Sequence, residues 1–452
     1  MAARRSPQPA LPVFRGLFGP AEAERLLWRA GFGPRRGEAK RLAALGPRQA
    51  VLALTRPGRE HFVGPAPHDE GGRPLAPYDA WGHDHVWWLD RMVRTSRPLV
   101  ERMTLVWHDW FATSNDGVGS QKLMLNQNAT LRRFWLGSFE KLLMSVTVDP
   151  AMLLWLNGNR NEKRAPNENY ARELMELFTL GAKRGYSEAD VREQARALTG
   201  FRNDYRRGVG PVEFRYETAR HDERLKEVFG NVGRWTWRDA CQLCVRHRLH
   251  PSFLVEKLWR SFVPTAPPPA TRRALERLYV GSRFGTRPVV EAILRHPDLY
   301  EGPRMVKSPV VFTAGMLRAA GRGIDTTAWS WLNGLAGQQL FHPPSVAGWD
   351  DERWLDTASF LARWQTAGTL LKPAALDPKV AAPFDAPKLV ERALGYWGRP
   401  TMSSSTQRAL LGFAERSLAD VRATPWKRQQ YPAMVENALR HLIAVSPDLQ
   451  TA

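Results

Sequence analysis

APNENYARELMELFTLGAKRGYSEADVREQARALTG, residues 165–200, reads as two helices joined by a short turn. Tyr170, Leu174, Leu177 and Phe178 recur at steps of three and four, the spacing that stacks apolar side chains on one helical face. With Leu174 as the zero of angle, Tyr170, Ala171, Leu177 and Phe178 fall within about 60° of it, while Asn169, Glu173 and Glu176 cluster roughly 100–160° to one side. The spacing predicts a helix over 167–180 closed at Gly181. Ser187 and Asp190 resemble a capping box that opens a second helix, in which Val191, Ala195 and Leu198 recur until Gly200. The acidic flank has two readings. Either Glu173 and Glu176 form a solvated face with Arg172 supplying ion pairs, or they border a cleft in which carboxylates one turn apart serve as metal ligands or as an acid–base pair.

The same period governs the rest of the chain. Ala23, Leu26, Leu27 and Ala30 share a face and stop at Gly31 and Gly33; two longer amphipathic segments, YDAWGHDHVWWLDRMVRT and PLVERMTLVWHDWFATS, are split at Pro98. Residues 201–233 are loop-rich, with a short hairpin expected around Gly208 and Gly210. Helices resume at Trp237 and run to about Leu335, and HPPSVAGWDDERW reads as a rigid, non-repetitive loop. No stretch shows sustained β alternation or an internal repeat. The expected fold is all-α or nearly so: a large multi-helix domain with long loops and a small helical C-terminal tail. Its expected divisions are a flexible stretch at 1–19, a main domain at 20–372, a linker at 373–387, and a helical segment at 388–452 that packs on the main domain.

Composition narrows the function. The 452 residues are 43% hydrophobic, enough for a sizeable core, and carry a formal charge of +20. That excess points to a polyanionic partner or to a solvated, Arg-rich surface; it is spread end to end without the basic helix or Lys/Arg block that tracks phosphates, so nucleic acid is not the expected ligand. Two cysteines cannot build a disulfide framework. The N-terminal residues hold no apolar run of secretory-signal length, and no window reaches the roughly 18 apolar residues of a spanning helix. A cytoplasmic location is therefore expected, or an envelope or extracellular one if an export signal has been removed. Phosphate-loop, dinucleotide, zinc-protease, serine-hydrolase and kinase signatures are all missing.

Three histidine-bearing stretches remain. Cys241, Cys244, His247 and His250 form a Cys-x2-Cys-x2-His-x2-His run, but on a helix three-residue steps rotate by about −60° each, so the four side chains cannot all reach one tetrahedral ion. His108 stands among Trp107, Trp110 and Phe111, where a lone histidine is either a hydrogen-bonded core residue or a ligand or base. His221 and Asp222 lie in the loop-rich region, where functional groups concentrate.

With these residues in view, the chain resembles the bacterial family known as domain of unknown function 1800. The resemblance is carried by RLLWRAGFGP, MTLVWHDWFATS, PNENYARELMELFTLG with YSEADVREQARALTG, the His221–Asp222 pair with Lys226 and Gly230, VKSPVVFTAGMLRA, HPPSVAGWDDERW and the closing SPDLQ. It implies a helical fold and a site built from Asn167, Glu168, Asn169, Arg172, Glu173 and Glu176 with His221 and Asp222. Lys226 and Trp349, from neighbouring blocks, join Asn167, Glu168 and Asn169 as expected substrate contacts. It also implies an accompanying sulfatase-like partner protein and work on an envelope or extracellular polymer. This sequence departs from the pattern in having Trp110 where a second histidine is common, and Ser345 where Asn is common.

Two functions follow. In one, a cleft built from the Glu173/Glu176 helix, His108 and the His221/Asp222 loop holds a divalent metal such as Mn, Fe or Zn on His108, Glu173, Glu176 and His221, and hydrolyses or oxidises a polymer-derived or small polar substrate, with Arg172 and Asp222 assisting. In the other, the protein is a non-catalytic binding or assembly protein whose ion pairs lock helices and whose basic surface docks an acidic polymer or a protein partner. The two part on whether those five side chains meet around an open pocket or are closed off by arginines.

Overall fold

A computed structural model describes residues 11–419 and 425–452 of the chain. Residues 1–10 of the N-terminal stretch set apart above lie outside that range. More than half of the chain is helical, and the strands among the described residues pair only into two two-stranded antiparallel sheets. The fold is mainly α, as the helical period requires. The chain forms two compact units: one from residues 103–299 and 341–349 with the stretch up to Phe14, the other from residues 15–102, 300–340 and 350–452.

The first unit is built around the opening stretch of sequence. Its first helix begins at Asn169 rather than 167, runs as α-helix to Glu173, and then widens into a π-helical turn over Leu174–Thr179. The Leu180 N–H donates to the Met175 carbonyl at 2.8 Å, five residues back, where an α-helix would bond four back. The wheel drawn for a uniform helix therefore fails beyond Leu174.

Side chains from elsewhere capture the carbonyls this end of the helix leaves over. The Trp110 indole N–H donates to Phe178 at 3.0 Å, His250 Nδ1 to Thr179 at 2.9 Å, and Lys257 Nζ reaches Leu177 at 3.4 Å. Each bond contributes about 1 kcal/mol net, and an orphaned buried carbonyl costs about 1–3 kcal/mol, so the π turn is sustained by tertiary partners rather than by local propensity. Around it Trp107, Trp110, Phe111, Phe139 and Phe178 pack with ring centroids 5–6.5 Å apart.

The Ser187 capping box forms as expected, with reciprocal bonds between Ser187 and Asp190, and opens the helix Glu188–Ala197. The expected hairpin also forms: β1 (Phe201–Arg206) pairs with β2 (Gly210–Tyr216) across a turn in which Gly208 and Gly210 take positive φ. A second, unanticipated hairpin follows, β3 (Lys226–Val228) with β4 (Asn231–Gly233). Its two turn residues, Phe229 and Gly230, sit at φ 51° and 73°, the left-handed pair that a tight two-residue turn demands.

In the second unit, the helix Pro20–Arg29 lays Trp28 directly against Gly315 of Pro309–Ala320, where an added Cβ would come within 2.1 Å of the indole. Buried cations organise its interior. Arg318 donates to the Gly33 carbonyl at 2.9 Å, Lys307 to Leu449 at 2.8 Å, and Arg363 to Lys307 at 2.7 Å. Main-chain oxygens, not carboxylates, are the chief acceptors for these three, so part of the chain's cationic excess is structural. The helices Ala386–Tyr396, Ser404–Ala419 and Pro425–Val445 pack on one another in this unit.

Candidate anion-binding site

The residues expected to form one site occupy separate places. Arg172 is spent on helix packing: its guanidinium grips both carboxylate oxygens of Glu188, at 2.9 and 2.8 Å, and Glu168 at 3.1 Å, tying the two helices of the opening stretch together. Glu176 accepts from the Tyr186 hydroxyl at 3.1 Å. Glu173 is half-buried, and burial, with Glu176 nearby, raises its carboxyl above the ordinary range. Asn167 accepts the Asn169 N–H at 2.9 Å, a local turn that starts the helix, and Asn169 is exposed.

His108 is a buried structural residue. Its Nε2 accepts the Phe341 N–H at 3.2 Å, its ring packs on Phe341 and Trp349, and burial, reinforced by His342, lowers its imidazole to about 3. The adjacent Asp109 accepts the Trp349 N–H at 3.0 Å. Together the pair pins the HPPSVAGW loop, so Trp349 is part of a staple. The Cys–His run disperses in the same way. Cys241 contacts Thr147, Cys244 accepts from Gln194, and His250 bridges the Thr179 carbonyl and the Tyr279 hydroxyl. Burial pushes the Cys241 thiol up to about 12 and that of Cys244 higher still. Among the described residues, no three His, Cys, Asp or Glu side chains are grouped so as to hold a metal ion. The set His108, Glu173, Glu176 and His221 does not converge.

His221, Asp222 and Lys226 do come together. Thr199, just beyond the Glu188–Ala197 helix, supplies the anchor: its carbonyl lies 3.0 Å from His221 Nδ1, and its hydroxyl accepts the Asp222 N–H at 2.9 Å. With Nδ1 donating to a carbonyl, Nε2 is the atom His221 has left to offer. Burial, with Lys226 nearby, keeps the imidazole below its ordinary value. The buried Asp222 carboxylate is clamped by Arg224 at 2.9 and 3.1 Å and by Arg196 at 2.8 Å. Those donors hold it far below the usual carboxylate range, so it is a fixed counter-charge, unable to take up a proton near neutral pH. The buried Lys226 ammonium donates to the carbonyls of Asp222 and Arg224, closing the turn from within.

This turn floors an open recess of about 800 Å³ walled by Lys163, Arg164, Thr218, Arg224 and Arg234. The 162–164 segment is brought there by Arg220, whose guanidinium meets Glu162 at 2.7 Å and whose carbonyl accepts the Lys163 N–H at 2.9 Å. Among the described residues, the side chains of Lys163, Arg164 and Arg234 have no hydrogen-bond or ion-pair partner, and all three are exposed. The two acids at the recess do not balance them: Asp222 is consumed by Arg196 and Arg224, which leaves Glu223. A neighbouring recess of about 670 Å³ holds Asp190, Glu193 and Glu227, but Asp190 and Glu193 are spent on the Phe229 N–H and on Arg196. Among the described residues lining the cationic recess, three unspent cations therefore stand against one unspent acid, Glu223.

Sequence reasoning found its floor and missed its walls. Lys163 and Arg164 precede the Asn-Glu-Asn block and Arg234 lies some seventy residues on; no spacing rule links them, because the Arg220–Glu162 contact that joins them is tertiary.

No curated protein and no solved structure shows a match to the chain. The model of the family described as "Protein of unknown function (DUF1800)" matches residues 25–451, nearly the whole length. The blocks that build the recess floor, the helix hairpin and the loop staple all lie inside that match, and the chain belongs to the DUF1800 family.

Proposed function

We propose that this protein is a binding protein for an acidic polymer, which docks by its anionic groups in the recess floored by His221 and Asp222. One observation carries the reading: Lys163, Arg164 and Arg234 stand unpartnered around a cavity whose buried acid is already neutralised. A ligand group that completes such a wall must be an acceptor bearing negative charge. The cavity is wide and open, which suits one residue of a chain that continues into solvent. The test is equilibrium binding of a uronate polysaccharide to the purified protein and to Arg164→Glu/Arg234→Glu. Loss of at least about tenfold in affinity is expected, since reversing two contacts worth roughly 1 kcal/mol each removes more than that. Equal affinity of the double variant contradicts the reading, and preference for DNA over the polysaccharide at equal salt moves the partner to nucleic acid.

A second reading, hydrolytic or oxidative chemistry, draws its support from Glu173. That carboxyl is half-buried, raised beside Glu176, and placed at the junction with a π turn, a geometry frequent at functional sites. Metal analysis of the purified protein and of Glu173→Gln tests it: a retained Mn, Fe or Zn ion that the variant loses supports it, and metal-free protein in both removes its motive.

A further inference from the structure

The second unit exposes an apolar face that none of the described residues covers. On the helix Ala328–Leu335, Trp331 is 48% and Leu335 56% exposed, one turn apart on the same side. The helix Thr357–Leu371 packs beside it and presents Leu361 at 58%, Trp364 at 43% and Phe360. Leu355, from the short helix Asp351–Leu355 packed on the same helix, extends the surface. Neither long helix carries an exposed charge. Ala328–Leu335 contains no charged residue, and the one charge in Thr357–Leu371, Arg363, is buried and bonded to the carbonyls of Trp354 and Lys307. In a chain whose residues are 24% charged, an uncharged exposed face across two helices is a marked departure.

Six large side chains at these exposures present on the order of 600 Å² of apolar surface, given that a large aromatic presents about 150–250 Å² when fully exposed. That is at the upper limit of what monomers leave open, and most of the ~800 Å² that one partner contributes to a stable interface. Trp364 is held in place by a tilted ring contact with His441, with centroids 4.3 Å apart, so it is an anchor already in position rather than a mobile side chain. The rim decides the occupant. Asp351, Glu352 and Arg353, all exposed, carry both signs within three residues. Within the chain Arg353 faces Asp356 at 3.9 Å, a loose and exposed contact; a two-fold contact sets each residue against its counterpart's neighbours, so Arg353 of one copy can instead meet Asp351 or Glu352 of the other. The excess of acid at that rim disfavours an anionic membrane.

We infer that this face is the contact between two copies of the chain, paired about a two-fold axis through Trp331, Leu335, Leu361 and Trp364. Sedimentation equilibrium of the full chain from sub-micromolar to tens of micromolar concentration tests it. A reversible dimer is expected, and Leu361→Glu/Trp364→Glu weakens it at least about thirtyfold. Leu335→Arg acts in the same direction, while Tyr205→Glu, at an exposed aromatic on β1, leaves the dimer unchanged. Far-UV circular dichroism of the variants matches the parent, and Leu361→Glu alone, at the most exposed of the face positions, also leaves melting close to it. A parent that stays monomeric throughout overturns the inference. So does a dimer that survives both face variants or is equally lost in Tyr205→Glu, and so does a monomer that binds neutral lipid vesicles through this face.

Discussion

Two buried histidines show how strongly single residues in this protein depend on their surroundings. His108 and His250 are held neutral by burial, at about 3 and about 4, against roughly 6.5 in an unfolded chain. The sign follows directly. Below about pH 6.5 the unfolded chain takes up protons that these two sites refuse, so stability is fully present above that pH and is lost as pH falls toward 4. Two such groups set a slope of up to roughly 2.7 kcal/mol per pH unit between pH 6 and 4.5. Urea unfolding at several pH values measures it, and a flat profile over that range means the rings are protonated in the fold. The Asp222 clamp works in the same direction at lower pH: its depressed carboxyl contributes stability that is fully present above the ordinary carboxylate range and is lost as pH falls through that range into strong acid. Asp222→Asn leaves Arg196 and Arg224 facing a neutral amide and should cost about 2–3 kcal/mol, read as a shift in the urea midpoint. The buried thiols of Cys241 and Cys244 should stay unreactive toward a thiol reagent until the chain unfolds.

At the scale of elements, the helix that dominates the sequence is also where a uniform period misleads. Its core stripe is right at Tyr170, Leu174 and Phe178, which are buried, while Leu177 is only half-buried. The placement of Glu176 relative to Glu173 is not, because the π turn intervenes, and no local residue announces that turn. It exists because Trp110, His250 and Lys257, all distant in sequence, take its carbonyls. Trp110→Phe keeps the ring packing and removes the donor, so it should cost about 1–2 kcal/mol and loosen amide protection around Leu180 more than elsewhere. Unchanged protection there means the turn is held by packing alone. The elements that sequence reasoning placed well, the Ser187 capping box and the β1–β2 hairpin, are those whose determinants lie within a few residues of one another.

For the whole molecule, the same distinction separates what was legible from what was not. Family membership and a mainly helical fold follow from motifs and periodicity that run the length of the chain. The convergence of functional groups does not, because it depends on long-range ion pairs. Arg172 pairs with Glu188 of the next helix as well as with Glu168 four residues back, Arg196 reaches across to Asp222, and Arg220 carries Lys163 and Arg164 to the recess. Part of the +20 charge likewise divides by tertiary context, into buried cations bonded to carbonyls, as at Arg318 and Lys307, and unspent ones at Lys163, Arg164 and Arg234. Polymer binding at the recess depends on the second group. Its most direct test is the salt dependence of uronate-polymer binding for the parent and for Arg164→Glu/Arg234→Glu. The recess predicts a steep fall in affinity with salt for the parent and a slope shallower by about two charge contacts in the variant. Parallel slopes with equal affinities would contradict it.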